Sequence, residues 1–97
     1  MATYITLMKF TQKGVENIKG GPTRLDQAKK MFRSKGAELK EFFLVMGQYD
    51  AVVITEEPDD STAAGLRLAV GAMGNVSTET MRAFTEEEYR DIIKGLP

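Results

Sequence analysis

Lys9, Asp50 and Glu79 are ionisable side chains near the ends of predicted strands, and a lysine desolvated beside two carboxylates is a combination suited to proton transfer. Tyr4, Tyr49, Thr80 and Arg82 add hydroxyls and a guanidinium of the kind that orients a small ligand against an apolar wall. These seven residues are the candidate ligand-binding set, and none carries a catalytic assignment. The chain has no cysteine and no histidine. Disulfides, thiolate nucleophiles, thiolate metal sites and the commonest general base are therefore excluded. Any catalysis must run on Asp, Glu, Lys, Tyr, Ser, Thr or a bound cofactor, and no motif calls for a cofactor. The acidic run Glu56-Glu57-Pro58-Asp59-Asp60 lacks the spaced Asp-x-Asp-x-Asp-Gly of a calcium loop. Helix capping and solvated surface are expected there rather than a metal. Neither a Walker motif nor a complete Gly-x-Gly-x-x-Gly occurs.

Those residues need elements to hold them. Residues 3–10 are rich in β-branched and aromatic types and predict a first strand. Gly14, Gly20, Gly21 and Pro22 punctuate a loop over residues 11–22, with room for one helical turn at Val15 and Ile18. From Thr23 a helix is expected, with Leu25, Ala28, Met31 and Phe32 on one face and Gly36 as its stop. Residues 38–46 and 49–56 predict two strands joined at Gly47-Gln48. Pro58, Asp59 and Asp60 open a helix with the stripe Leu66, Ala69, Val70, Met73, ended by Gly74-Asn75. Residues 76–84 predict a fourth strand. Thr85 and Glu88 match a capping box before a last helix carrying Tyr89, Ile92, Ile93 and Leu96. The order β-α-β-β-α-β-α fits an α+β, ferredoxin-like sandwich with a C-terminal helix, strands one and three central.

Ninety-seven residues predict one domain over 1–97, burying roughly 60–65% of the unfolded surface. A net charge of −1 leaves no basic footprint for nucleic acid. No apolar run approaches the roughly 20 residues of a membrane span, and the first residues lack the pattern of a signal peptide, so a cytoplasmic protein is expected.

Two helices cover one face of a four-stranded sheet, yet both faces read as apolar. Leu39, Phe43 and Val45 alternate with Phe42, Leu44 and Met46; Ala51 and Val53 alternate with Val52 and Ile54. A large exposed apolar face is unusual for a monomer, which predicts a homodimer or higher oligomer formed through the sheet. Two sheets face to face would make a dimeric α/β barrel. The alternative is that the last helix folds back over the second face.

The topology also gathers one end of the molecule. The 11–22 loop, the 47–48 turn and the 74–75 junction should share it, with Gly14, Gly20, Gly21, Gly47, Gly71 and Gly74. If Ile5, Leu7, Val52, Ile54 and Met81 face the helices, a period of two puts Lys9, Asp50 and Glu79 on that same face. Either a polar site or a structural ion-pair network would result, with Lys13 and Lys19 able to assist a site. Tyr4, Thr6, Tyr49, Thr78, Thr80 and Arg82 would then point into the barrel, as a ligand pocket or as interface hydrogen bonding in which Arg82 pairs with Glu41 across chains.

Gly47-Gln48-Tyr49-Asp50, followed by Ala51 to Thr55, resembles the Gly-x-Tyr-Asp signature of the GYD-domain family, small bacterial proteins. The opening Thr3 to Thr11, the loop residues Gly14, Asn17 and Ile18, Glu41-Phe42-Phe43, Glu57-Pro58-Asp59-Asp60, Gly74-Asn75-Val76, Thr78-Glu79-Thr80, Arg82-Ala83-Phe84 and Glu86-Glu87 are similar to the family in the same order. The resemblance implies a ferredoxin-like fold of the dimeric barrel type and brings no established catalytic residues. The leading expectation is a homo-oligomeric module that binds a small molecule or a partner protein and has no established catalytic activity. One alternative is a cofactor-independent monooxygenase- or isomerase-like enzyme acting on a small aromatic or hydrophobic compound in the barrel. Another is a structural assembly unit.

Overall fold

β-Branched and aromatic residues make Ala2–Phe10 the first strand, β1, of a four-stranded antiparallel sheet in the computed structural model, which describes residues 1–97. Thr11 accepts a hydrogen bond from the Gly14 N–H and so caps a short helix α1, Gln12–Glu16. A 3₁₀ turn at Ile18–Gly20 then leads into α2, Gly21–Ser34, which has Pro22 in its first turn. The expected loop over 11–22 is thus mostly helical, and α2 begins two residues before Thr23. The sheet continues through β2, Glu38–Leu44, and β3, Ala51–Glu57. Asp59 caps α3, Asp60–Ala72, its carboxylate taking the Thr62 N–H at 2.8 Å; that bond lowers its pKa. β4, Val76–Ala83, and α4, Glu86–Lys94, complete the chain.

Strand order is β2-β3-β1-β4, with β1 and β3 central as expected. This is the ferredoxin-like arrangement, α2 and α3 packed on one side. Leu66, fully packed on α3, meets Phe32 of α2 and Ala37 in the small core.

The face assignment from the sequence is inverted. Tyr4 and Thr6 of β1 and Ala51, Val53, Thr55 and Glu57 of β3 are the buried residues, and they look towards the helices. Register pairs Tyr4 with Thr55 and Arg82, and Thr6 with Val53 and Thr80, so Thr80 and Arg82 share that side. Ile5, Leu7, Val52, Ile54 and Met81 lie on the outer face, with Lys9 and Glu79. A register shift between Leu39 and Glu41 also breaks the simple alternation of β2: Leu39, Phe42 and Leu44 oppose Thr55, Val53 and Ala51 on the helix side. Phe43 stands outward opposite Val52 and is 51% exposed.

Only 11 of 97 residues are buried, and the radius of gyration is 14.6 Å against about 12.5 Å for a compact chain of this length. Part of that extension is α4. Its capping box forms as expected, Thr85 N–H to Glu88 at 2.9 Å and Glu88 N–H to Thr85 at 3.2 Å. The helix does not fold over the outer sheet face, however. Its stripe of Tyr89, Ile92, Ile93 and Leu96 stays 47–60% exposed.

Candidate functional site: a cavity between helices and sheet

The helix layer stands partly off the sheet, and the gap is a cavity of about 350 Å³. α2 supplies Leu25, Ala28 and Met31 from its apolar face, α3 supplies Val70, and the sheet supplies Met8, Phe42 and Val53. Its volume lies at the lower end of the roughly 300–1,000 Å³ that small-molecule sites span, and its walls are mostly apolar.

The polar end of this cavity is a hydrogen-bonded cluster around Arg67. The guanidinium pairs with the fully buried Glu57 carboxylate and also donates to Thr6 Oγ1 at 3.0 Å, Thr55 Oγ1 at 3.2 Å and Thr80 Oγ1 at 3.2 Å. Thr55 gives its hydroxyl proton to Glu57 at 2.6 Å, and Thr6 and Thr80 lie 3.0 Å apart. The guanidinium carbon lies 5.5 Å from the centre of the Phe32 ring and 5.7 Å from that of Tyr4. No buried side-chain polar atom lacks a partner.

A second, more open cleft lies between α3 and β4, lined by Tyr4, Asp60, Thr78, Thr80 and Arg82 among others. The Tyr4 hydroxyl donates to Asp60, the first residue of α3. That bond, together with burial and the carboxylate charge, raises the Tyr4 pKa to about 12, opposed by Arg82. Arg82 stacks 4.4 Å from the Phe84 ring centre and donates to the Thr3 carbonyl at 3.2 Å. Glu88 is its carboxylate neighbour within the chain, at 3.9 Å, while Glu41, opposite Ile54, lies on the other face of the sheet.

The seven sequence candidates therefore divide. Tyr4, Thr80 and Arg82 meet on the helix side. Lys9, Tyr49 and Glu79 meet on the outer face, where the Tyr49 hydroxyl donates to Glu79 at 2.6 Å and the Lys9 ammonium sits 5.5 Å from the Tyr49 ring centre. The Glu79 bond raises the Tyr49 pKa. Asp50 is separate. Its carboxylate takes the Phe10 N–H at 2.8 Å and its own N–H donates to Met8 at 2.8 Å, which pins the Gly-x-Tyr-Asp turn to β1. None of the five ion pairs includes Lys9, Asp50 or Glu79; hydrogen bonds and a ring contact hold them in place of the ion-pair alternative. The shared end does form. Thr11 bonds the Gly74 carbonyl at 2.6 Å, and Lys13 caps the end of α3 at the Met73 carbonyl, 2.8 Å.

Arg67, Glu57 and Thr55 escaped the sequence reading. Two signals point to them. Period two from Ala51 and Val53 reaches Thr55 and Glu57, and Arg67 stands one helical turn after the small residues Ala63 and Ala64, which leave room for a long side chain.

No group of three or more His, Cys, Asp or Glu side chains is assembled to hold a metal ion, and no helix is long and apolar enough to cross a membrane. The family model described as the GYD domain matches residues 4–93. A protein of Thermus thermophilus named glutamine synthetase and cystathionine beta-lyase binding protein is 31% identical over 84 residues, spanning 86% of this chain and 88% of its own. The crystal structure of a hypothetical protein from Pyrococcus horikoshii is similar at a TM-score of 0.57 and 22% identity, covering 89% of this chain and 93% of that one; the likeness is one of fold.

Proposed function

We infer that this chain, which belongs to the GYD domain family, is a homo-oligomeric module that binds a small molecule. The observation that carries the reading is the cavity of about 350 Å³ between α2, α3 and the sheet, walled by apolar side chains. It moves the ligand from the barrel interior to the helix side. Of the expected ligand residues, Thr80 belongs to the cluster at the cavity floor and Tyr4 and Arg82 to the adjoining cleft. Lys9, Tyr49, Asp50 and Glu79 serve the outer face and the turn.

The outer face is assigned to a second copy of the chain. Phe43, Val52, Leu7, Ile54, Ile5 and Met81 form a continuous apolar sheet surface across the register. The α4 stripe adds the exposed Tyr89 and three aliphatics, Ile92, Ile93 and Leu96. At roughly 150–250 Å² per aromatic side chain, these exposed fractions amount to several hundred Å² per protomer. Doubled by a two-fold axis and joined to the sheet faces, that approaches the roughly 1,600 Å² of a standard interface.

A second reading, engagement of a partner enzyme, is supported by the name of the Thermus relative and would use the same apolar surfaces. The ligand reading is tested by titrating the neutral fluorescent probe N-phenyl-1-naphthylamine into wild type and Ala28→Trp, which fills the cavity. Binding to wild type and its loss in Ala28→Trp are expected. Equal binding to both proteins would place the probe elsewhere and defeat the reading.

A further inference from the structure

We propose that the cavity takes an uncharged ligand with an apolar body and a single hydrogen-bond acceptor oxygen, received by the Thr6 hydroxyl. The proposal rests on the reading of this cavity as the ligand site, and it follows from a count of donors and acceptors at the cavity floor.

A guanidinium has five N–H groups. In Arg67, Nε donates to Thr80; one terminal nitrogen serves Glu57 and the Ala63 carbonyl, at 3.3 Å to the latter; the other serves Thr6 and Thr55. All five are engaged, and the charge is matched by a carboxylate that is itself fully buried. An anion entering the cavity meets no free donor on Arg67 and meets the Glu57 charge behind it. A cation meets Arg67. In either case a charged group sheds water without gaining a partner, which is unfavourable. Arg24, in the first turn of α2, also lines the cavity, but one of its nitrogens already donates to the Asn17 carbonyl at 2.9 Å. Arg24 is only half-buried and its charge is screened by water, so it attracts an anion only weakly.

The hydroxyl hydrogens are not all used. The three threonines bring three. Thr55 gives its hydrogen to Glu57. Thr6 and Thr80, 3.0 Å apart, share one hydrogen between their oxygens. One remains. Either oxygen can be the donor; an acceptor in the cavity selects the arrangement in which Thr80 donates to Thr6 and the free hydrogen belongs to Thr6, a residue of the cavity wall. A carbonyl or ether oxygen is the group that accepts it without bringing charge. Around it the walls, Met8, Phe42, Met31, Leu25 and Val53, offer dispersion and area burial rather than polar recognition.

The test is competition against bound N-phenyl-1-naphthylamine by three ligands of similar body: valerophenone, an uncharged ketone; pentylbenzene, which lacks the acceptor; and 4-pentylbenzoate, an anion at pH 7.5. They are run on wild type and on Thr6→Val, which replaces the hydroxyl by a methyl of similar size. On wild type, valerophenone is expected to compete at least tenfold better than 4-pentylbenzoate. On Thr6→Val, the ratio of ketone to hydrocarbon affinity is expected to fall by about tenfold, the size of one neutral hydrogen bond. Because the ratio is taken within each protein, a general loosening of the cavity by Thr6→Val leaves it unchanged. The wild-type comparison of ketone with anion stands even if that variant does not fold. An anion that competes as well as the ketone, or an unchanged ratio, overturns the ligand class and leaves the site. Failure of the fluorescent probe to bind wild type removes the site and the proposal together.

Discussion

Replacing Arg67 by Met should destabilise the fold by about 3–5 kcal/mol, the cost of leaving a buried charge without its partner. Glu57 is 0% exposed, and Arg67 is its only cationic neighbour at ion-pair distance. One Glu57 oxygen keeps the Thr55 hydroxyl at 2.6 Å, but the other loses its donor. Three threonine oxygens and the Ala63 carbonyl lose an N–H as well, and the Phe32 and Tyr4 rings lose a cation at 5.5 and 5.7 Å. Met retains most of the apolar stem, so the loss is chiefly electrostatic. Set against a total stability of roughly 5–15 kcal/mol for a small domain, this is a large share. Urea unfolding followed by circular dichroism, at one fixed protomer concentration, measures it. With m near 1–3 kcal/mol/M, the midpoint should fall by roughly 1–5 M. The double variant Glu57→Leu, Arg67→Met should recover most of the loss, because no lone charge remains. A loss below about 1 kcal/mol for Arg67→Met would mean that the Glu57 carboxylate finds water or another partner and that Arg67 is not what makes its burial tolerable.

Phe43→Asp, on the outer sheet face, should give a monomer in sedimentation velocity while circular dichroism stays native; an unchanged oligomer would sink the interface assignment. Gly14→Ala should cost about 1–3 kcal/mol, since an added Cβ would sit 2.1 Å from the Asn75 carbonyl oxygen and force apart the contact between α1 and the start of β4. Urea unfolding reads it, and a neutral result would show that the junction yields freely. In a spectrophotometric titration, Tyr4 should ionise near pH 12, above the ordinary value of 10.0. A folded pKa above the unfolded one means that the contribution of the Tyr4–Asp60 bond is complete below pH 10 and is lost as pH rises towards 12. A Tyr4→Phe protein should lack that late component; its persistence would assign the late ionisation to another group.

The elements were readable because their signals are local. The Thr85/Glu88 box, the Asp59 cap and the glycines at positive φ, such as Gly74 at 80°, act within a few residues. Strand order followed from connection rules alone. Parity was not readable, because β3 is apolar on both faces: Val52 and Ile54 are more hydrophobic than Val53 and Thr55, yet point outward. Hydrophobicity chose the wrong side. The buried side is the polar one, since Arg67 supplies donors that make threonines and a glutamate tolerable there. That compensation lies ten residues from Glu57 along the chain and 61 from Thr6, beyond any window of periodicity. The acidic run shows the same limit. Its members look alike in sequence, yet Asp59 caps a helix, Asp60 holds Tyr4 and Glu57 is buried. The Gly-x-Tyr-Asp turn was visible as a turn, but Asp50 proves to be its anchor to β1 and Tyr49 the centre of the Lys9–Glu79 contact.

Native mass spectrometry of the protein, purified from its own host without denaturation, reads subunit number and retained ligand in one spectrum. A dimer or larger oligomer is expected, carrying a small additional mass that is released on collisional activation and is lost in Ala28→Trp. A monomer whose mass equals that of the chain alone would contradict that expectation.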